Sequence, residues 1–385
     1  MRRWIVLAII AIAIVVAGFS LLEPTAAGEL AASAILPEVG SDSSGFARAV
    51  EPYDWQFPED YGAHPEFQTE WWYYTGNLAD ENGRRFGFQF TIFRRAISPD
   101  SVDSASEWRS NQIYMAHFAI TDVEGGEYLH GQRFSREGAD LAGATCSPRC
   151  EIWVENWMVQ ALNEEATSTQ ITASNDGYAL NLNLRQTKPP ALQGDHGLSA
   201  KSDVPGNASY YYSLTRLASE GSITIGDQVF EVTGFAWMDH EFSTSALGSG
   251  ALGWDWFGLQ LDDDRELMLG QIRLVDGGID PNFGGILVQP DGSTRYLPAS
   301  AVTIHSTATW TSPHSGGVYP AAWEISIELG EDAPLRLQLM PLMADQELYG
   351  GGITYWEGAV AISGDATGYG YAELTGYVDS MTGRF

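Results

Sequence analysis

Apolar and polar residues alternate in short segments along most of this chain, with the period of a strand. Arg85-Phe-Gly-Phe-Gln-Phe-Thr-Ile-Phe93, Ile113-Tyr-Met-Ala-His-Phe-Ala-Ile120 and Tyr178-Ala-Leu-Asn-Leu-Asn-Leu184 each set one face toward a core. Hairpins are written into the punctuation. Ser222 to Val232 turns at Gly226-Asp227, and Leu259 to Leu269 turns through its charged centre at Asp262, Asp263 and Asp264. A different pattern opens the chain: Met1-Arg-Arg, then an almost unbroken apolar run from Trp4 to Leu22. That run has the form of an export signal or a single membrane anchor, with the arginines holding the N-terminus inside. No other segment has a helical period.

The 42 glycines and the density of hairpins indicate an all-β protein, and more than three hundred ordered residues exceed one small barrel. Two β-domains are expected. Residues 1–22 are the signal peptide or membrane anchor, and 23–51, rich in Ala, Ser, Gly and Glu without periodicity, read as a flexible linker. An N-terminal domain then covers 52–245 and a C-terminal domain 246–385. Small residues at Ala26, Ala27 and Ala31 to Ala34 offer a cleavage site, while the run is also long enough to span, so release and membrane anchoring both stay open. Either way the folded part lies outside the cytoplasm, in the periplasm or cell envelope. No cysteine follows the run, which argues against a lipid anchor.

Charge excludes one class of partner. The net charge is −30, with two lysines, Lys188 and Lys201, against fifty acidic residues, so there is no basic face for nucleic acid. Acidic excess with scarce lysine resembles proteins that work in high salt, and is equally the surface of an ordinary acidic protein. The only cysteines, Cys146 and Cys150, stand four apart, and in an oxidising compartment that spacing reads as a small disulfide loop. A zinc site would need ligands that no nearby histidine supplies.

Candidate chemistry concentrates in Gly234-Phe-Ala-Trp-Met-Asp-His-Glu-Phe-Ser243 and Gly253-Trp-Asp-Trp-Phe257. These place Asp239, His240, Glu241 and Asp255 among aromatic side chains. An unpaired buried carboxylate is costly and its pKa climbs, so such acids are either paired or used as proton carriers. Asp239 and Asp255 are candidate acids and His240 a group to orient water. Trp237, Trp254, Trp256 and Tyr210 offer π-faces for a cation, and Glu70, Trp71 and Trp72 contribute from the first domain. The plainer reading is a buried hydrogen-bonded network and ordinary aromatic core. Strand alternation limits the first reading: Asp239 shares a face with Trp237 and Glu241, and His240 with Met238, unless the strand breaks. No Gly-x-Ser-x-Gly elbow is present, the histidines are scattered without metal spacing, and no cofactor is implied.

Several motifs in one order carry a resemblance. His64-Pro-Glu-Phe-Gln-Thr-Glu-Trp-Trp-Tyr-Tyr-Thr-Gly-Asn-Leu78, Lys188 to Gly197, Tyr210-Tyr-Tyr-Ser-Leu-Thr-Arg216, Trp237-Met-Asp-His-Glu-Phe242 and Tyr355-Trp-Glu-Gly-Ala-Val360 together resemble the AttH branch of the AttH/CrtC family. The likeness runs from about residue 52 to the C-terminus. It implies two lipocalin-like β-barrels packed together, with a ligand cleft where they meet. The family includes carotenoid 1,2-hydratases, and exported members are called secreted hydrolases; some resemble proteins encoded beside lipoprotein-exporting permeases. The Glu-Trp-Trp-Tyr and Met-Asp-His-Glu-Phe spellings are those of the exported branch, which points away from a carotenoid substrate. Two expectations follow. One is an exported enzyme hydrating or isomerising an apolar isoprenoid or lipid-like ligand by acid initiation. The other is a non-catalytic carrier of such a ligand that serves an envelope transporter.

Overall fold

The computed structural model describes residues 43–100, 106, 108–244, 247–248, 250–330 and 333–381. The apolar leader and most of the expected linker lie outside the described residues. Two antiparallel sheets make up the fold. The first runs through β1 (Thr69–Asp80), β2 (Arg85–Ala96), β3 (Gln112–Asp122), β4 (Glu127–Arg136), β5 (Ala142–Cys146), β6 (Cys150–Val154) and β7 (Trp157–Ala161). It continues with β8 (Ser168–Asn175), β9 (Tyr178–Gln186), β10 (Ala191–Leu192), β11 (Leu198–Ala200), β12 (Ala208–Ile225) and β13 (Gln228–Ser243). Its order, β5-β6-β7-β8-β9-β12-β13-β1-β2-β3-β4, brings the last long strand back onto the first and nearly closes a barrel.

The second sheet holds β14 (Ala251–Leu261), β15 (Glu266–Leu274), β16 (Gly285–Val288), β17 (Thr294–Leu297) and β18 (Val302–Thr311). It is completed by β19 (Val318–Ile327), β20 (Leu335–Pro341), β21 (Glu347–Leu348), β22 (Tyr355–Gly364) and β23 (Gly368–Leu374), and forms a half-barrel with β14, β23 and β22 at its centre. No helix among the described residues is long and apolar enough to cross a membrane. The expected strands sit where alternation put them, and the β12–β13 hairpin turns between Ile225 and Gln228 with Gly226 at φ 57°. That left-handed value costs a glycine little and a branched residue much. Cys146 and Cys150 are bonded, pinning the β5–β6 hairpin at their paired positions.

Alternation gives each central strand of the first sheet two different faces. Trp72, Tyr74, Phe88, Phe90, Met238 and Tyr212 point into the barrel, while Tyr73, Tyr211 and Trp237 meet Trp256, Phe283 and Tyr371 of the second sheet. Burying side chains of this size stabilises each layer by about 1.5–3 kcal/mol per residue. The end of the segment expected to be linker is seated against the barrel end. Ala49 is buried beside Phe67 and Phe242, and Ala47 N–H donates to the Glu66 carbonyl at 2.9 Å.

Candidate functional site

Where the two sheets face each other, a narrow cleft with about 670 Å³ of empty space, part of it open to solvent, is lined by Trp71, Tyr73, Phe93, Trp254, Trp256, Ile272 and Phe283. Four ionisable groups enter this apolar wall: Asp239, Glu241, Lys201 and Glu373. The register explains the grouping. On β13 and β1, Trp237, Asp239 and Glu241 face the second sheet together with Trp71 and Tyr73, and on β14 and β23, Trp256 stands opposite Glu373.

The three acids are held differently. Asp239 accepts from Tyr211 Oη at 2.6 Å, Ser213 Oγ at 2.5 Å and Trp237 Nε1 at 2.6 Å. Indole can only donate, the Tyr211 oxygen already accepts from Trp256 Nε1, and Ser213 Oγ accepts from Gln193 Nε2. Three convergent donors favour the carboxylate, yet burial dominates and lifts Asp239 to about 7. Glu373 accepts from Trp254 Nε1 at 3.1 Å, and burial, with Asp239 and Glu241 nearby, lifts it to about 8. Glu241 is paired with Lys201 Nζ at 3.0 Å, and that ammonium lies 4.2 Å from the Phe283 ring centre. Behind the cleft wall, Tyr73 donates to Glu357, a fully buried acid held well above the usual carboxylate range, chiefly by burial.

His240 lies on the other face of β13, inside the barrel. The β1–β13 register is unbroken from Thr69↔Ser243 to Asp80↔Val232, so no bulge turns His240 toward Asp239. It packs on Trp72 at 4.8 Å and bonds Glu70 through Nε2 at 2.8 Å, with the Tyr212 hydroxyl at 2.9 Å from Nδ1. Burial pulls its pKa down, consistent with a neutral ring donating from Nε2. Glu70 is the hub of this network. It also takes His64 Nδ1 at 2.8 Å, the His64 backbone N–H at 2.9 Å and Arg94 Nε at 2.7 Å, which outweigh burial and hold it well below the usual range. Burial works against a charged His64, but Asp60 and Glu70 prevail and raise it to about 9. His64, Glu70 and His240 hold ligand-type atoms in mutual reach of a metal, but the Glu70 oxygens are filled by donors and Arg94 supplies the positive charge. The cluster is built as an ion-pair network that ties the chain around residues 60–64 to the barrel end.

The other sequence candidates divide the same way. Trp71, Trp254 and Trp256 line the cleft and Trp237 supports Asp239 from its edge. Trp72 is barrel core. Tyr210 packs on Phe67 and Phe242 and donates to the Glu51 carbonyl at 2.8 Å, away from the cleft; its neighbour Tyr211 reaches Asp239 instead. Asp255 points into the second sheet, paired with Arg273 Nε at 3.0 Å and bonded by Gln271 and Tyr377. Sequence reasoning missed Glu373, Tyr211, Ser213 and Lys201. Glu373 carried a readable signal: Tyr369, Tyr371 and Glu373 alternate along one strand, an acid on an aromatic face, as in Trp237-x-Asp239.

Comparison with curated proteins gives no match. Among solved structures, a protein from Nitrosomonas europaea described as AttH is similar over 86% of this chain and 100% of its own, at 34% identity and a TM-score of 0.76. Kievitone hydratase from Nectria haematococca shares the fold over 86% of this chain and 98% of its own, at 15% identity and a TM-score of 0.63. The AttH-like family matches residues 48–377. With nearly the whole folded part covered by that match, the chain belongs to the AttH-like family.

Proposed function

We propose that the inter-sheet cleft binds an apolar, alkene-bearing ligand of isoprenoid or lipid-like character and adds water across its double bond. The observation that carries this reading is the unlike hydrogen bonding of two acids in one aromatic cleft: three donors on the buried Asp239, one on the half-buried Glu373. Pushed up to about 8, Glu373 holds its proton at neutral pH in a site where water competes poorly, as protonation of an alkene requires. The alkene π-electrons take that proton and leave a tertiary cation. Trp71, Trp254 and Trp256 border the space it occupies and supply π-systems to stabilise it, and the Asp239 carboxylate does so through space. A water oxygen then bonds to the cation and gives its proton to Asp239. Exchange with solvent returns a proton to Glu373 and takes one from Asp239. The fold shared with kievitone hydratase is in keeping with this chemistry, and the Cys146–Cys150 bond is in keeping with an extracytoplasmic setting.

The test has two stages. Mass spectrometry of molecules extracted from the purified native protein names the ligand class. Isoprenoid alkenes of that class are then incubated in isotopically heavy water, with hydroxylated product carrying the heavy oxygen as the expected result. Bound apolar ligand without such a product would make the protein a carrier, with an envelope transporter as its client, while water-soluble ligands alone would remove the apolar-cleft reading.

A further inference from the structure

The outer face of the barrel carries a polar ladder leading away from the cleft. Tyr73, Thr91, His117 and Gln132 are register partners on β1, β2, β3 and β4, and so make one row across four strands, about 14 Å from end to end. This row faces the second sheet: Tyr73 donates to Glu357, and His117 Nδ1 lies 2.7 Å from the Tyr355 hydroxyl. At one end Tyr73 lines the cleft, and at the other Gln132 is partly exposed at the rim.

The seam is under-satisfied along its length. Gln89 Oε1, Tyr128 Oη and Glu357 Oε2 are buried without a hydrogen-bond partner, while His117 with Gln132, and Tyr371 with Thr121, approach each other without well-formed hydrogen-bond geometry. An orphaned buried polar group costs about 1–3 kcal/mol, and native interiors leave few of them unless ordered water completes the bonding. Three such atoms and two loosely bonded pairs on facing walls of one seam, donors and acceptors mixed, match the two to four polar partners a buried water needs. His117 cannot act as a cation here, because burial pulls it down to about 3.

We infer that this seam is a water file from the Gln132 rim to the Tyr73 hydroxyl, supplying the cleft with water when an apolar ligand closes its mouth. The inference rests on reading the cleft as a site of water addition. It assigns Thr91 and Glu357 as positioning residues: Thr91 holds the middle of the row, and Glu357 aims the Tyr73 hydroxyl between file and cleft. An atomic-resolution crystal structure, without additive and after soaking with hexane as the apolar probe, tests it. The expected result is a continuous run of ordered waters from Gln132 to Tyr73 that persists with hexane in the cleft. In Thr91→Val, which keeps the side-chain shape but removes the acceptor of Gln89 Nε2, the water beside that position is lost, and Thr91→Ser, which restores the hydroxyl, regains it. Once a substrate is known, Thr91→Val lowers kcat roughly tenfold with KM unchanged. A dry seam with these atoms bonded to one another, density other than water, or a file stopping short of Tyr73 overturns the proposal, whatever Glu373 does. If instead Glu373→Gln leaves product formation unchanged, the chemistry fails and the file is judged by the crystals alone.

Discussion

Charged partners mark the architectural acids Glu70, Asp255 and Glu266, whereas the cleft acids Asp239 and Glu373 are hydrogen-bonded by neutral groups. Glu70, saturated by His64, His240 and Arg94, has no lone pair left for a ligand, whereas Glu373 has one indole donor and faces the cleft. Glu373→Gln is therefore expected to leave ligand affinity within about twofold and to lower turnover by about 10²–10⁴-fold, the usual range for a general acid. Isothermal titration and product assays on the same preparation check both halves. Glu70→Gln should do the opposite. It strands a charged His64 and Arg94 in the interior and costs about 3–5 kcal/mol in urea denaturation; a loss below about 1 kcal/mol would show that the network is not an anchor. The same residues set the pH response. Asp239 and Glu373 bind protons in the folded state up to about 7 and about 8, well above their ordinary values of 3.8 and 4.5. His64, raised from 6.5 to about 9, keeps its proton beyond the point where the unfolded chain loses it. For all three the folded state holds more protons over these windows, so their contribution to stability falls as pH rises from about 4.5 to 9. Below 6.5, neutral His117, lowered to about 3, and His130 and His240, also pulled down by burial, give an opposite slope, so the net fall is expected from about 6.5 to 9. Thermal melts at fixed salt should decline across this range, and the decline should be shallower in Glu373→Gln.

At the scale of strands, what the sequence disclosed and what it withheld have one physical cause. Alternation with period two is local, so β2, β3, β9 and the Gly226 hairpin were legible from single segments, and so was the separation of Asp239 from His240 onto opposite faces. Pairing between strands is not local. Nothing in Tyr210-Tyr211-Tyr212 tells which tyrosine faces the second sheet until β12 is aligned with β13, and the alignment selects Tyr211. Asp255 fails as a cleft acid for the same reason: Trp254 and Trp256 flank it on the chain and face the cleft, so the residue between them faces Arg273. Glu373 stayed hidden because its partners, Trp254 and Asp239, are more than a hundred residues away in sequence. Swapping the faces provides a check. In Trp256→Leu the Tyr211 hydroxyl loses its indole donor and is freed to turn from Asp239, so apolar ligand affinity and Asp239 ionisation should shift together, read by titration and by carboxyl infrared bands.

For the whole molecule, the contact between the sheets is where charge is spent inward. Lys188 Nζ meets Glu266 at 2.8 Å and the Gln289 carbonyl at 3.0 Å, while Arg216 Nε reaches the same Glu266. Lys201, with Glu241, closes the other side of the cleft. Removing one partner leaves the rest buried and uncompensated, so Lys188→Met should cost about 3–5 kcal/mol and split a single unfolding transition into two, as the sheets part before each melts. Calorimetry distinguishes that from a uniform loss of stability. With a net charge of −30, added salt should raise the melting temperature of the parent protein, because screening weakens repulsion on the outer surface more than attraction between groups held out of water. One consequence concerns reagents more than energies. Both lysines of the chain stand between the sheets with side chains only 7% exposed, so the folded surface offers acylating reagents no lysine amine. Such a reagent becomes a gauge of separation: the rate at which it marks Lys188 or Lys201 counts how often the two halves come apart, and a ligand lodged between them should slow the clock.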